Sequence, residues 1–350
     1  MTDRRAPEEQ LVARAVSGVR VVVDDGQRLD LRPAQHGIVP DPRPSGEVEL
    51  GPGRRQRLHL WRDMLLHLGD HRVTRLDAPG TADDVAHLFP ATDGGPLVLT
   101  EDRALHRWTD RGLEPSGPPL PGDPTTVSAL GLGPRMLVRD FGGPRTELRA
   151  TDTGAHLWER AAVALAVLPV GGALVGLDLA DRTSVTATEL ADGAERWRAR
   201  FGVRVDHLVA AVGDRVWVSL DDGRLQALDV RTGDVRASVT DPAIDAHARG
   251  PVTAEASLVL CRSTDVTVVD LVRGEVSRRA VAGPLAVPTF VRATPDGVLV
   301  VVDEQRRVWV VDPDGAARHV HTASGLVTGL ELHAGRGYVL TAEGRVTVLG

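Results

Sequence analysis

Residues 206–239 read Asp206-His-Leu-Val-Ala-Ala-Val-Gly213-Asp-Arg-Val-Trp-Val-Ser-Leu220-Asp-Asp-Gly223-Arg-Leu-Gln-Ala-Leu-Asp-Val230-Arg-Thr-Gly233-Asp-Val-Arg-Ala-Ser-Val239. Four runs of β-favouring residues are separated by turns at Gly213-Asp214, Asp221-Asp-Gly223 and Thr232-Gly233. Short runs with Gly and Asp between them are the pattern of an antiparallel meander, because tight hairpins need residues that tolerate left-handed backbone. In the third run Leu225, Ala227 and Val230 approximate one face, while Arg224, Gln226 and Asp229 mark the more polar positions.

The same grammar extends outward in both directions. Glycine-centred turns recur at Gly112, Gly154, Gly193, Gly233, Gly274 and Gly315, spaced 42, 39, 40, 41 and 41 residues apart. Four strands every ~40 residues describe a β-propeller blade. A lone blade cannot bury both faces, so blades are expected to close into a ring. From about Thr81 onward the chain holds six complete units and one incomplete one, and Leu58 to Leu76 contains strands of another. The expectation is therefore an all-β fold, a propeller of four-stranded antiparallel blades with eight blades favoured and seven plus an N-terminal appendage as the alternative. The chain stops at Gly350 after a third-strand pattern, Arg345 to Leu349, so an N-terminal strand is expected to complete the last blade. Residues 1–54 form the segment that supplies closing strands. Val19 to Leu31 reads as a hairpin there, and Pro40 to Gly53 as an irregular insertion rich in proline and glycine. Residues 55–350 form the blades.

Composition narrows the chemistry. Of 350 residues, 42% are hydrophobic and only 3% aromatic, so a sizeable core is built mainly from Val, Leu and Ala. All 41 basic residues are arginine, there is no asparagine, and isoleucine occurs only at Ile38 and Ile244. That bias fits a GC-rich bacterial genome. The absence of lysine removes the phosphate-binding lysine of a P-loop, Schiff-base chemistry and the kinase ATP lysine. Cys261, the single cysteine, excludes an internal disulfide and any Cys-based cluster. A formal charge of −7 opposes general nucleic-acid binding, which needs local positive charge, and the short cluster Arg54, Arg55, Arg57, Arg62 reads as a solvated edge. No apolar h-region opens the sequence and no apolar run is long enough to span a bilayer, so a cytoplasmic protein with neither membrane nor nucleic-acid partners is expected.

The stretch Asp222-Gly-Arg-Leu-Gln-Ala-Leu-Asp-Val-Arg-Thr-Gly-Asp-Val-Arg-Ala237 resembles the quinoprotein-type (PQQ-like) β-propeller repeat, Asp-Gly-x-Leu-x-Ala-Leu-Asp-x-x-Thr-Gly-x-x-x-Trp. Ala155-His-Leu-Trp158 and Ala194-Glu-Arg-Trp197 supply the fourth-strand tryptophan in two units. The resemblance covers about residues 81–350 and implies a seven- or eight-bladed ring. Quinone-dependent members hold the cofactor between a tryptophan and a vicinal disulfide and bind calcium through acidic and asparagine side chains. One cysteine and no asparagine do not assemble that site, so no cofactor is expected. The chain looks more like the non-catalytic scaffolds of this superfamily, which include outer-membrane assembly propellers. No Trp-Asp dipeptide supports a WD40 repeat, and the Gly-Gly pairs keep no Kelch period.

Candidate functional residues gather at the second-to-third strand turns, which alternating strand direction places at one end of every blade. They include Asp102, Arg103, Asp181, Arg182, Asp221, Asp222, Arg224, Asp303, Glu304 and Arg306, with Asp24, Asp25, Glu101, Asp265, Glu343 and Arg345 at equivalent places. Two readings stand: an ordered charged rim that docks a protein partner, or residues chosen because tight turns require them. Trp158 and Trp197 read as packing between blades. His319 and His321 lie on one side of a strand by simple alternation and with His333 make the pattern of a metal site, although no acidic ligand is tied to them and no metal is expected. His59, His67 and His71 cluster around the first hairpins in a similar way. Cys261 reads as an inert buried thiol at a strand end. The leading expectation is a non-enzymatic interaction scaffold, monomeric alone or a subunit of a hetero-complex, binding through one face and the channel mouth. The alternative is an enzyme or small-ligand sensor with a site in the central channel.

Overall fold

The structure is a computed structural model that describes residues 43–50, 57–61, 64–69, 72–76, 81–89, 91, 95–109, 111–120, 126–241, 244 and 256–350. The expected hairpin at Val19–Leu31 lies outside them. Strand β1 (Pro44–Glu49) comes first, and the strands after it form successive meanders. The first is β2 (Arg57–Trp61), β3 (Met64–Leu68), β4 (Arg72–Arg75) and β5 (Thr81–Asp83). The second is β6 (Val85–Phe89), β7 (Leu97–Thr100), β8 (Leu105–Thr109) and β9 (Gly112–Gly117). The third is β10 (Val127–Leu132), β11 (Arg135–Asp140), β12 (Arg145–Ala150) and β13 (His156–Arg160). The fourth is β14 (Ala164–Val170), β15 (Ala173–Asp178), β16 (Ser184–Glu189) and β17 (Glu195–Arg200). The fifth is β18 (Val205–Val212), β19 (Arg215–Leu220), β20 (Arg224–Asp229) and β21 (Val235–Thr240). The sixth has three described strands, β22 (Ser257–Cys261), β23 (Asp265–Asp270) and β24 (Glu275–Ala280). The seventh is β25 (Pro288–Ala293), β26 (Leu299–Asp303), β27 (Arg307–Val311) and β28 (Ala317–Thr322). The eighth is β29 (Val327–His333), β30 (Arg336–Thr341) and β31 (Arg345–Leu349), with β1 as its fourth strand.

The fold is an all-β, eight-bladed propeller of antiparallel sheets. Its blades fall into two compact units: blades two to five within residues 84–248, and the other four within 32–83 and 249–350. The closing strand is present, but it lies inside Pro40–Gly53, the stretch expected to be irregular. β1 pairs antiparallel with β31 from Glu49↔Arg345 to Pro44↔Leu349, with an irregularity between Pro44 and Gly46. An outermost strand tolerates proline and glycine, because its free edge faces no further ladder.

Burial explains the unbroken apolar runs. β26 sends Leu299 and Val301 into a cluster with Val259, Val266, Trp309 and Val311, while Val300 and Val302 enter another with Val308, Leu330 and Val339. A strand covered on both faces has no reason to alternate. In the other unit Val175, Leu177, Val185, Val216, Val218 and Leu228 form the contact between blades four and five. Each such side chain contributes about 1.5–3 kcal/mol on leaving water. The outer strands show the opposite pattern: every described residue of β24 except Arg279 is exposed.

Candidate functional site

The turns sort into two sets in each blade. Where β7 meets β8, β19 meets β20, β26 meets β27 and β30 meets β31, an i→i+3 backbone bond closes the turn: Arg103 N–H to Thr100 O at 2.9 Å, Gly223 to Leu220 at 3.0 Å, Arg306 to Asp303 at 2.9 Å and Gly344 to Thr341 at 3.0 Å. The residue donating that bond has positive φ in all four, 69° and 64° at Arg103 and Arg306, 80° and 77° at Gly223 and Gly344. Two arginines thus occupy a position that favours glycine. The segment entering each blade is tied to this set of turns, as in Glu101 N–H to Asp84 O, Asp221 to Arg204, Glu304 to Val287 and Ala342 to Leu326, all 2.8–3.0 Å. The second-to-third strand turns and the blade-entry segments therefore share one end of each blade.

Of the charged residues expected there, Asp24 and Asp25 lie outside the described residues; the others stand at or beside these turns, and most are engaged locally. Asp102 accepts from Thr100 Oγ1 at 2.5 Å and from the Ala104 N–H at 3.2 Å, and these bonds hold its carboxyl below the ordinary range. Asp181 accepts from Thr183 Oγ1 at 2.6 Å, the Thr183 N–H at 3.0 Å and Ser184 Oγ at 2.9 Å, again lowering its pKa. Arg224 Nε donates to Asp222 Oδ2 at 2.8 Å, lowering the acid's pKa and raising its own. Arg182 Nη2 crosses to the next blade and donates to Asp206 O at 2.8 Å. Arg204 Nε lies 4.0 Å from Asp221 Oδ2. Asp265 accepts from Thr264 Oγ1 at 3.0 Å. The aspartates build the turns, as an Asx side chain does when it captures the N–H groups that follow it. Exposed pairs of this kind contribute little to stability.

Asp303 departs from the expected rim. Its residue is 1% exposed, and the carboxylate accepts from the Gln305 and Arg307 N–H groups at 2.9 and 3.0 Å, Arg307 Nε at 2.8 Å and Trp309 Nε1 at 2.9 Å. Burial pushes this acid up, and the donors and charge of Arg307 with the Trp309 indole outweigh it, so its pKa is lowered. Asp303 organises blade seven and offers nothing to a partner; the Arg307 guanidinium stacks 4.9 Å over the Trp309 ring. Beside it Glu304 and Arg306 are exposed, as are Glu101, Asp102, Arg103, Asp221 and Asp222. On the entry segments hydrogen-bonded to these turns, Val287 is 57% and Leu326 66% exposed. Sequence alone does not mark these two residues, since Val and Leu look like core residues until the loop places them.

At the opposite end of the blades stand Trp158 and Trp197. Trp158 Nε1 donates to Leu190 O at 3.2 Å and Trp197 Nε1 to Val230 O at 2.8 Å, each reaching the third-to-fourth strand turn of the next blade. Both act between blades, as expected, and Trp217 is core.

The histidine expectation changes. β28 carries a bulge opposite Val308 and Trp309, so His321 pairs with Val308 and His319 with Trp309. Val308 and Trp309 face opposite sides, hence so do the two histidines. His319 Nε2 instead meets Thr322 Oγ1 at 2.9 Å. His59 has no described side chain and His71 lies outside the described residues. His67 is buried in β3, where burial drives its pKa down to about 4. Cys261 stands at the end of β22 at intermediate exposure, with burial raising its thiol to about 12. A solitary unreactive thiol does not fit the vicinal disulfide against which the quinone packs. Among the described residues one group has metal-ligand geometry: Glu147, His156 and Glu159.

Residues 144–285, which span the best-formed repeats, match the family model described as outer membrane protein assembly factor BamB. These residues thus carry repeats of the PQQ-like β-propeller type that the sequence resembles. BamB from Moraxella catarrhalis is 15% identical, with a TM-score of 0.58 over 88% of this chain and 99% of that one. The C-terminal WD40 domain of Sif2 gives 14% identity and a TM-score of 0.61 over 90% of this chain and 99% of that one. The computationally designed Ika8 protein gives 13% and 0.56, over 86% and 98%. At these identities the likeness is one of fold. No curated protein matches the chain in sequence.

Proposed function

We propose that this PQQ-like propeller is a non-catalytic scaffold that docks a protein partner on the end of its blades bearing the second-to-third strand turns. The observation that carries this is the pairing of Val287 and Leu326, large apolar side chains held out to water, with exposed Glu304 and Arg306 on hydrogen-bonded, ordered turns. Apolar anchors beside a polar surround are how protein interfaces are composed, and a rigid framework lowers the ordering cost of binding. The matched family's description is that of an assembly factor, which accords with work carried out through other proteins.

Affinity capture from the native host tests this with three forms of the full chain. Wild type and Val272→Asp, altered at the opposite end of a blade where Val272 is 56% exposed, are expected to retain the same stoichiometric partner. The double variant Val287→Asp, Leu326→Asp is expected to lose it while keeping its melting temperature. Retention by the double variant, or no stoichiometric partner with wild type, overturns the proposal.

A further inference from the structure

Glu147 on β12 lies directly opposite Glu159 on β13 in the antiparallel ladder. Two carboxylates in register repel, and strand pairs ordinarily avoid that placement. The bulge in β13 adds a third group. Leu148 pairs with Trp158 and Arg149 with His156, so one residue is skipped and His156 joins the face that carries Glu147, Arg149 and Glu159. Leu148 and Trp158 occupy the other face, in the core shared with Leu130, Leu137 and Leu174.

The side chains converge accordingly. His156 Nε2 lies 3.5 Å from Glu159 Oε2 and 3.9 Å from Glu147 Oε2, and the three ligand atoms all fall within 4.8 Å of one another. Ligands on a tetrahedral zinc at 2.0–2.1 Å are separated by about 3.3 Å, so a small contraction would close the site. Glu147 is 2% exposed, whereas His156 and Glu159 are 45% and 42% exposed and leave an approach from solvent. Arg149 Nη2 donates to Glu147 Oε2 at 3.0 Å and Arg145 Nη1 stands 3.8 Å from Glu159 Oε2. Even so, Glu147 Oε1 is buried and has no hydrogen-bond partner, and the same holds for Arg149 Nε. A buried carboxylate oxygen without a donor is costly, and a cation held by both oxygens of Glu147 removes that cost.

We propose that Glu147, His156 and Glu159 form a divalent-cation site, with zinc as the best-suited ion. One imidazole and two carboxylates are a borderline donor set, which selects zinc over calcium or magnesium. The neighbouring arginines oppose the ion's charge, so binding is expected to be moderate and to involve movement of Arg149 away from Glu147.

Equilibrium dialysis of the full chain against zinc chloride tests the site. One equivalent is expected to bind saturably, with a weaker response to calcium and magnesium. His156→Ala and Glu159→Gln change exposed side chains on an outer strand, and each is expected to weaken zinc binding at least tenfold at an unchanged melting temperature. His319→Ala, altering a histidine elsewhere, is expected to leave binding unchanged. Cobalt(II) gives an independent readout, with visible absorption of a four- or five-coordinate ion in the wild type that is lost in His156→Ala. Absence of a saturable equivalent, or binding undiminished in both His156→Ala and Glu159→Gln, overturns the proposal.

Discussion

The Trp197 indole donates to the Val230 carbonyl at 2.8 Å and closes over the turn that ends in Gly233. A Cβ on Gly233 would lie 2.7 Å from Trp197 Cδ2, and one on Gly193 2.8 Å from Trp158 Cδ2. The repeat's glycine is therefore needed twice, for its positive φ and for the neighbouring blade's ring. In these two joints turn and tryptophan must meet, which fixes the distance between them.

Gly233→Ala is expected to destabilise the chain by about 2 kcal/mol or more, combining left-handed strain with displacement of the indole. Gly213→Ala provides the control. It also has positive φ, 59°, but nothing lies within 4 Å of its added Cβ, so it is expected to cost only the strain, about 1–2 kcal/mol. Urea midpoints of the two variants check the difference. Equal losses would show that the tryptophan contact contributes nothing.

Asp303 is expected to behave as a structural acid. Asp303→Ala leaves Trp309 Nε1 and the Ala286, Gln305 and Arg307 N–H groups without this acceptor, and removes the carboxylate that pairs with Arg307. A loss of about 3–5 kcal/mol is expected, the cost of breaking a buried pair by removing one member. Glu304→Ala, one residue away and exposed, is expected to change stability by less than about 0.5 kcal/mol. Thermal denaturation of both variants gives the comparison.

His67 is expected to confer acid sensitivity. Its folded pKa, about 4, lies below the unfolded value of 6.5, so protonation favours the unfolded chain. The stability it allows is complete above pH 6.5 and is lost as pH falls from there toward 4. The loss amounts to about 2 kcal/mol by pH 5. Carboxylates titrate in the same region, so the readout is the difference between wild type and His67→Gln, whose stability is expected to decline less steeply over that interval. Parallel profiles would show that His67 is not held neutral.

The period was legible because the turn glycines are fixed by backbone geometry, and geometry repeats wherever the joint repeats. The eight-blade count was legible too, since Leu58–Leu76 carries strand-length apolar runs that proved to be β2, β3 and β4. β1 was hidden: Pro44-Ser-Gly-Glu-Val-Glu49 has no apolar alternation, because an outermost strand buries almost nothing. The turns at Arg103 and Arg306 were legible from their charged residues, but not that these arginines take the positive φ that Gly223 and Gly344 take elsewhere. The bulge in the outer strands cost the most. It separates His319 from His321 and brings His156 beside Glu147 and Glu159, and residue spacing alone shows neither effect. Sequence marks the charged residues of the described second-to-third strand turns, but only the packing around Trp309 and Arg307 separates the buried acid, Asp303, from its exposed neighbours.

The scaffold reading is tested most directly by hydrogen–deuterium exchange of the chain with and without its captured partner. Lysine is absent, so amine-reactive cross-linking has no side chain to report on, whereas backbone exchange reads every turn. Binding is expected to slow exchange at Glu101–Ala104, Asp221–Arg224, Glu304–Arg306 or the entry segments around Val287 and Leu326. The third-to-fourth strand turns, such as Arg231–Asp234 and Leu271–Gly274, are expected to be unchanged. Protection confined to those latter turns would contradict the account.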